Sequence, residues 1–261
     1  MIKRLRKIIK NILRYEVDIH KNESLKKIVG QKSELLILGS APSINLLNLN
    51  RLDDKFIIST SNFHEHKDIS SIKPDIHVFA ASHEPITNVI MYNWFVRCND
   101  RLPKTTLVLV ESRDRIIAEK AFKERKLHFY SYGGKLPVDF NKPIISPWSV
   151  AVVALQLGIF LNIKEIYLLG IDHDWQSLED YAHFYSHEKE SLEYFASKEN
   201  VHFTYDRNAL RSPKSRLYRE YELYQQYELL GEYASNLGIK IFNGDRSSGF
   251  DVYNHSYNWM R

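Results

Sequence analysis

The sequence predicts an α/β chain built on one mainly parallel sheet covered by helices, and three observations carry that expectation. Short, continuous apolar runs recur along it, as strands buried on both faces of a parallel sheet do. Helix-like segments alternate with these runs across short breaks. Two of the runs end abruptly in glycine: Glu34–Leu38 before Gly39-Ser40-Ala41-Pro42-Ser43, and Glu165–Leu169 before Gly170-Ile171-Asp172-His173-Asp174-Trp175. Open α/β sheets bind ligands beyond the carboxyl ends of their strands, so both glycine turns stand where a site is expected. The alternative is that they are ordinary strand-to-helix turns whose polar residues cap the next element.

Residues 1–32 read as a basic N-terminal arm. Ten Lys/Arg (Lys3, Arg4, Arg6, Lys7, Lys10, Arg14, Lys21, Lys26, Lys27, Lys32) oppose Glu16, Asp18 and Glu23, a balance of 10 − 3 = +7, while the rest of the chain carries 26 − 29 = −3. Ile2, Leu5, Ile9, Ile12 and Leu13 recur at helical spacing between the basic residues. Such an amphipathic helix suits an anionic membrane surface or a partner, or else packs its apolar stripe on the body.

Residues 33–261 then read as a single domain. Strands are expected at 34–38, 55–59, 76–80, 106–110, 128–130, 165–169 and 240–242, and helices at 113–126, 149–161 and 217–237. The helix at 149–161 is expected to open at Ser146-Pro147-Trp148-Ser149 with proline in its first turn, and Gly238 stops the last one. Residues 175–216, polar, aromatic and rich in histidine, form a lid-like insertion or a small packed subdomain, partly helical at 189–196.

With 261 residues and 44% hydrophobic content the chain can bury a full core. No apolar run approaches the roughly 18 residues of a membrane span, and no signal-peptide core opens the chain, so a cytoplasmic location is expected, peripheral on the membrane if the arm binds it. Cys98 is the only cysteine, which excludes an intramolecular disulfide and a multi-cysteine zinc site; a buried, inert thiol is expected. The acidic body argues against a nucleic-acid groove.

The first glycine turn is neither Gly-x-Gly-x-x-Gly nor a phosphate loop ending in Gly-Lys-Ser/Thr. Its small residues still let backbone N–H groups approach an anion, and Ser43 could cap a following helix and add its dipole. At the second turn Asp172, His173, Asp174, Tyr181, His183, Tyr185 and His187 fall within sixteen residues. A general base acting near neutral pH would come most naturally from His173, His183 or His187. Asp172 could accept from sugar hydroxyls or fix its own loop. Asp172 and Asp174, with histidines nearby, also offer the ligands of a divalent cation.

Four blocks occur in an order that resembles the bacterial sialyltransferases of glycosyltransferase family 42: Gly39-Ser40-Ala41-Pro42-Ser43, Ser61-Asn62-Phe63, Ile145-Ser146, and Lys164-Glu165-Ile166-Tyr167-Leu168-Leu169-Gly170-Ile171-Asp172. They are also similar to MptE-like domains of surface-polysaccharide clusters. The resemblance spans roughly residues 34–242 and implies a modified Rossmann-like domain with a mobile lid that binds a CMP-linked sugar without a metal. It implies donor contacts at Gly39, Ser40, Ala41, Pro42, Ser43, Asn62, Ser146, Gly170 and Asp172, with Ser82 counted in the same set. Tyr181 matches one of the family's two phosphate-binding tyrosines, and Asp174 stands in place of the other. An aspartate beside the phosphate would need a proton or a cation, and Lys214 and Arg216 could supply positive charge instead. The family's catalytic histidine has no counterpart just before the last long helix, so His183 is the expected base, with His202, His187 and then Asp174 behind it.

The resemblance thus implies transfer of a CMP-activated nonulosonic acid, sialic-acid-like, to a surface glycan or lipid-linked acceptor by direct displacement. No resident cofactor is expected, a divalent cation held by Asp172 and Asp174 being the exception. The alternatives are an ATP- and magnesium-dependent pyrophosphokinase, as for some related domains, or a noncatalytic scaffold of a polysaccharide-assembly complex.

Overall fold

The computed structural model describes residues 22–50, 52–83, 86–173, 183–186, 189, 192–199 and 213–261, the side chains of 193 and 216 excepted. The amphipathic stripe of the arm, from Ile2 to Leu13, lies outside the described residues.

Seven strands form one sheet: β1 (Glu34–Leu38), β2 (Phe56–Thr60), β3 (Ile76–Val78), β4 (Leu107–Glu111), β5 (Leu127–Tyr130), β6 (Glu165–Leu169) and β7 (Lys240–Asn243). Their order is β5-β4-β3-β2-β1-β6-β7 and every pair is parallel. The chain builds outward from β1 to β5 and then returns to the other side of β1 with β6. The order therefore reverses between β1 and β6, which pair from Glu34↔Glu165 to Leu38↔Leu169. A ligand crevice is expected at such a reversal, beyond the carboxyl ends. The predicted expectation of a mainly parallel α/β sheet holds.

Both faces are apolar, so the strands alternate between two cores rather than between core and solvent. Leu35, Ile37, Phe56, Ile58, Ile166 and Leu168 pack with α5 (Val150–Phe160) and α7 (Pro213–Asn236). Leu36, Leu38, Ile57, Tyr167 and Leu169 pack with Met91, Trp94, Phe95 and Cys98 of α3 (Asn88–Arg101). α5 is apolar all round and buried accordingly. It lies so close to the sheet that a Cβ on Gly158 would stand 2.5 Å from Leu35 Cδ2. The smaller helices are α1 (Leu25–Ile28), α2 (Ile69–Ile72), α4 (Arg115–Ala121) and α6 (Leu192–Lys198). Leu25 and Val29 are part of the core, and Asn22 donates to the Phe129 and Phe140 carbonyls beside β5. None of the described helices is long and apolar enough to cross a membrane.

Several expectations need correction. The helix foreseen at 113–126 is a 3-10 turn, Ser112–Asp114, followed by α4, and it ends at Ala121. Beyond it Arg125 turns away to serve the carbonyls of Asn99 and Leu102 at the end of α3 and those of Pro103 and Thr106. Those orphan helix-end acceptors outweigh one more turn of helix. α3 was not foreseen, although Thr87 caps it and Ile90, Met91, Trp94, Phe95 and Cys98 mark its buried face. α5 starts one residue after its cap, Ser149, which accepts from the Ala151 amide, so Pro147 precedes the helix rather than sitting in its first turn. α7 begins four residues earlier than foreseen, at Pro213, and ends before Gly238, whose φ is +68°.

Candidate functional site

The two glycine turns meet. Gly39 N donates to the Leu169 carbonyl at 2.8 Å and Ala41 N to the Gly170 carbonyl at 3.0 Å, extending the β1–β6 ladder past the strands. A Cβ on Gly39 would lie 2.3 Å from the Gly170 carbonyl oxygen, a backbone atom that cannot step aside. Gly170 itself has φ +64°, and a Cβ there would meet Ile44 at 2.9 Å. Both positions therefore demand glycine, for close approach and for conformation.

Above this contact Ser43 Oγ donates to Asp172 Oδ1 at 2.9 Å, both residues being buried. The expected helix cap at Ser43 is absent: the segment is a five-residue 3-10 helix, Pro42–Leu46, with Ala41 at its cap position and no side-chain cap. The Ser43 hydroxyl is directed to Asp172 instead. The Asp172 loop is held from other sides as well. Ser248 Oγ donates to the Ile171 carbonyl at 3.1 Å. His173 adopts φ +49°, unusual for a residue with a side chain, and its Nε2 pairs with the Tyr227 hydroxyl at 2.9 Å. Tyr227 and Phe250 flank its ring. Burial pushes the His173 pKa down to about 4, so near pH 7 this half-buried imidazole is neutral, with its Nε2 already paired to Tyr227.

Asn62 sits after β2 in the 3-10 helix Ser61–Glu65 and is buried, its Oδ1 accepting from Trp94 Nε1 of α3. Beneath it the Ser61 carbonyl accepts from His77 Nε2 at 2.9 Å and from His64 Nδ1 at 3.1 Å. His77 Nε2 thus carries the proton, and Ser59 Oγ donates to Nδ1 at 2.7 Å. Burial drives the His77 pKa well below its ordinary value, with His64 adding to the effect. Burial pushes the Glu65 carboxyl up, but hydrogen bonds from His64 and Arg97 and the charge of Arg101 overcome it and bring the pKa down to about 2. His64, His77 and Cys98 bring metal-ligand atoms within 4.8 Å of one another. Both His77 nitrogens are already bonded, the Cys98 thiol is pushed well up by burial, and two guanidiniums stand on Glu65. His64 and His77 hold the Ser61 carbonyl, next to Asn62 in the chain.

The other predicted donor residues are more dispersed. Ser82 lies beyond β3, two strands from the crevice, with its amide and hydroxyl both donating to Asp114. Ser146, exposed, precedes α5 and is held by its carbonyl, which accepts from Gln226 Nε2 at 2.8 Å. Of the 175–216 insertion, Phe184 N donates to the Ser40 carbonyl at 3.1 Å, and its ring contacts Phe63 and His66 at centroid distances of 5.8 and 5.3 Å. That contact brings His183 beside the Gly39–Ser43 turn, its ring stacked on Tyr185 at 4.7 Å. Asp174, Tyr181, His187 and His202 lie outside the described residues, as does the side chain of Arg216; Lys214 is exposed at the start of α7.

The structure thus brings together Gly39, Ser40, Ala41, Pro42, Ser43, Gly170, Asp172 and His183. Sequence reasoning did not foresee Trp94, Tyr227, Gln226 or Ser248 as the residues that fix this site. Trp94 and Tyr227 had a local signal, the helical spacing of the buried faces of α3 and α7.

No family model matches the sequence, and no curated protein matches it. Among solved structures, the chain is similar to the sialyltransferase CstII from Campylobacter jejuni in complex with the substrate analogue CMP-3FNeuAc, with a TM-score of 0.51 and 15% identity over 85% of each chain. The monofunctional α-2,3-sialyltransferase Cst-I from the same organism matches with a TM-score of 0.49 and 17% identity over 86% of this chain and 80% of that one. The likeness is one of fold: over most of its length, the chain has a sialyltransferase-like α/β architecture.

Proposed function

We propose that the chain is a glycosyltransferase that takes a CMP-activated nonulosonic acid and transfers the sugar to a glycan or lipid-linked acceptor. The observation that carries this reading is the joined pair of turns at the sheet's order reversal. Gly39 packed against Gly170, and Ser43 bonded to Asp172, join the two turns into one fixed unit at the carboxyl end of the sheet, and Phe184 of the insertion is bonded to its edge at Ser40. The fold similarity to a sialyltransferase in complex with the substrate analogue CMP-3FNeuAc supports the same donor class.

In this reading the Gly39–Ser43 turn lies along the phosphate and sugar, Asn62 and Ser146 contact the donor, and Asp172, oriented by Ser43, accepts from a ribose hydroxyl. The acceptor hydroxyl oxygen attacks the anomeric carbon as the bond from that carbon to the CMP phosphate oxygen breaks. His183 takes the hydroxyl proton, and the electron pair departs with the phosphate. Tyr181 donates to that phosphate, and Lys214 balances its charge. The N-terminal arm holds the enzyme near acceptors on an anionic membrane.

A thermal-shift screen of CMP, CTP, ATP, GTP and UDP, with and without magnesium, tests the donor class. A ligand that binds only the native state raises stability by RT ln(1 + [L]/Kd), so cytidine nucleotides should raise the melting temperature selectively. Equal shifts with all nucleotides, or with none, would remove the cytidine assignment, and a magnesium-dependent shift with ATP alone would replace it with a pyrophosphokinase.

A further inference from the structure

The lead into α5 is fixed by two buried glutamines. Gln156, within α5, accepts from the Ile145 amide and donates to the Ile145 carbonyl, both at 3.1 Å. Gln226 of α7 accepts from the Trp148 amide at 2.9 Å and donates to the Ser146 carbonyl at 2.8 Å. Each carboxamide supplies one acceptor and one donor, as the backbone of a neighbouring strand would. The main chain from Ile145 to Trp148 is thereby pinned on both sides, yet Trp148 remains 46% exposed. Among the described residues, its indole meets neither a hydrogen-bond partner nor another ring.

The position of this tryptophan follows from the topology. α5 leads down to β6, whose carboxyl end carries Gly170, so the start of α5 lies at the same end of the sheet as the candidate site. Gln226 touches the Trp148 backbone, and the next residue, Tyr227, bonds His173, which follows Asp172. Consecutive residues of α7 thus tie Trp148 and the Asp172 loop to one helical turn.

A single exposed apolar residue is ordinary on a protein surface, and Leu46, Ile116 and Leu217 are more exposed still. Trp148 differs in having a fixed backbone beside the crevice and a flat, rigid side chain. An indole presents a large apolar face with one N–H donor at its edge and loses little conformational freedom on binding. That shape suits a pyranose ring, whose faces gather C–H groups between hydroxyls. We infer that Trp148 is a stacking platform for the pyranose ring of the saccharide acceptor, an inference that rests on the glycosyl-transfer reading.

Saturation-transfer NMR titrations of the full chain with methyl galactopyranoside, methyl glucopyranoside and methyl N-acetylglucosaminide, in the presence of CMP, test this. At least one of the three should bind the wild type. Trp148→Ala should weaken it about tenfold, the loss of one stacked aromatic face, and Trp148→Phe should restore most of it. CMP affinity and melting temperature, measured on the same samples, should stay unchanged in both variants. Equal pyranoside affinity in Trp148→Ala, no binding of any of the three to the wild type, or a loss of CMP affinity in Trp148→Ala would each overturn the platform; the last would make the indole a donor contact. A wild type that binds a pyranoside through Trp148 but not CMP would sink the donor assignment and leave the platform standing.

Discussion

Ser43 donates a hydrogen bond to Asp172 across 2.9 Å, joining the turn after β1 to the turn after β6 at the point where strand order reverses. Removing the donor takes one hydrogen bond from a buried carboxylate, which costs about 1–3 kcal/mol. Ser43→Ala should therefore lower stability by an amount of that order and weaken CMP binding, because Asp172 loses the bond that aims it. Asp172→Asn should weaken CMP binding with a smaller loss of stability, since the amide can still accept from Ser43. Isothermal titration with CMP alongside thermal melts checks both, and unchanged CMP affinity in the two variants would detach this pair from the donor site.

Acid should destabilise the fold in two stages. The unfolded chain protonates His173 below its ordinary value of 6.5, whereas the native ring, depressed by burial, resists until about pH 4. In that window the unfolded state binds more protons, so the stability linked to His173 is fully present above pH 6.5 and is lost as pH falls towards 4, on the order of 3 kcal/mol, and His77 and His66, which burial also lowers, add to the same stage. Glu65, with an ordinary value of 4.5 and a native one of about 2, continues the loss from pH 4.5 downwards. Urea denaturation at a series of pH values should show a shallower first stage in His173→Asn, a residue that tolerates φ +49° and does not titrate there. An identical slope in the variant would mean that another group governs the transition.

Much of this architecture was legible in the chain, and the exceptions share a cause. β1 and β6 have the foreseen bounds because an apolar run starts at a charged residue, Glu34 or Glu165, and stops at a glycine that only a close backbone approach explains. α3 was missed although Ile90, Met91, Trp94, Phe95 and Cys98 recur at helical spacing, because Asn93, Arg97, Asn99 and Asp100 stand between and beyond them, and the reason Arg97 is there, a buried Glu65, lies 32 residues away. The helix after β4 was overextended because Arg125 serves carbonyls at the end of another helix. Gln156 and Gln226 read as ordinary helix residues, since pairing with a distant backbone leaves no periodic trace. The residue types at the mouth of the site could be named from sequence; the side chains that hold them still could not, because their partners lie far along the chain.

The arm should be separable from the fold at Asn22. That residue, buried, donates to Phe129 and Phe140, and Leu25 is fully buried, so the boundary must spare them. Deleting residues 1–21 removes seven Lys/Arg against Glu16 and Asp18, lowering the net charge by 7 − 2 = 5. The truncated chain should keep its melting temperature and lose salt-sensitive binding to vesicles containing anionic lipid, since exposed charges act over about a Debye length of roughly 10 Å at 0.1 M salt. A large fall in melting temperature would instead assign the stripe of Ile2, Leu5, Ile9, Ile12 and Leu13 to packing on the body.

The base is the sharpest test of the mechanism. Phe184 N bonded to the Ser40 carbonyl brings His183 next to the Gly39–Ser43 turn, while His173 has its Nε2 paired with Tyr227 and its pKa is pushed down to about 4. His183→Ala should lower kcat by a factor on the order of 10² to 10⁴ and leave CMP affinity nearly intact, because general-base catalysis acts on the chemical step. Stacking on Tyr185 is the structural role His183 already has, so His183→Phe separates the two: it keeps the stack and should be as inactive as alanine. Recovery of turnover in His183→Phe would show that packing of the lid, and not proton transfer, is what the histidine supplies. If His183→Ala is active and His202→Ala or His187→Ala is not, the base comes from the later part of the insertion. If none of the three matters, Asp174 is next, and loss of activity on adding EDTA would then mark it as a cation ligand rather than a base.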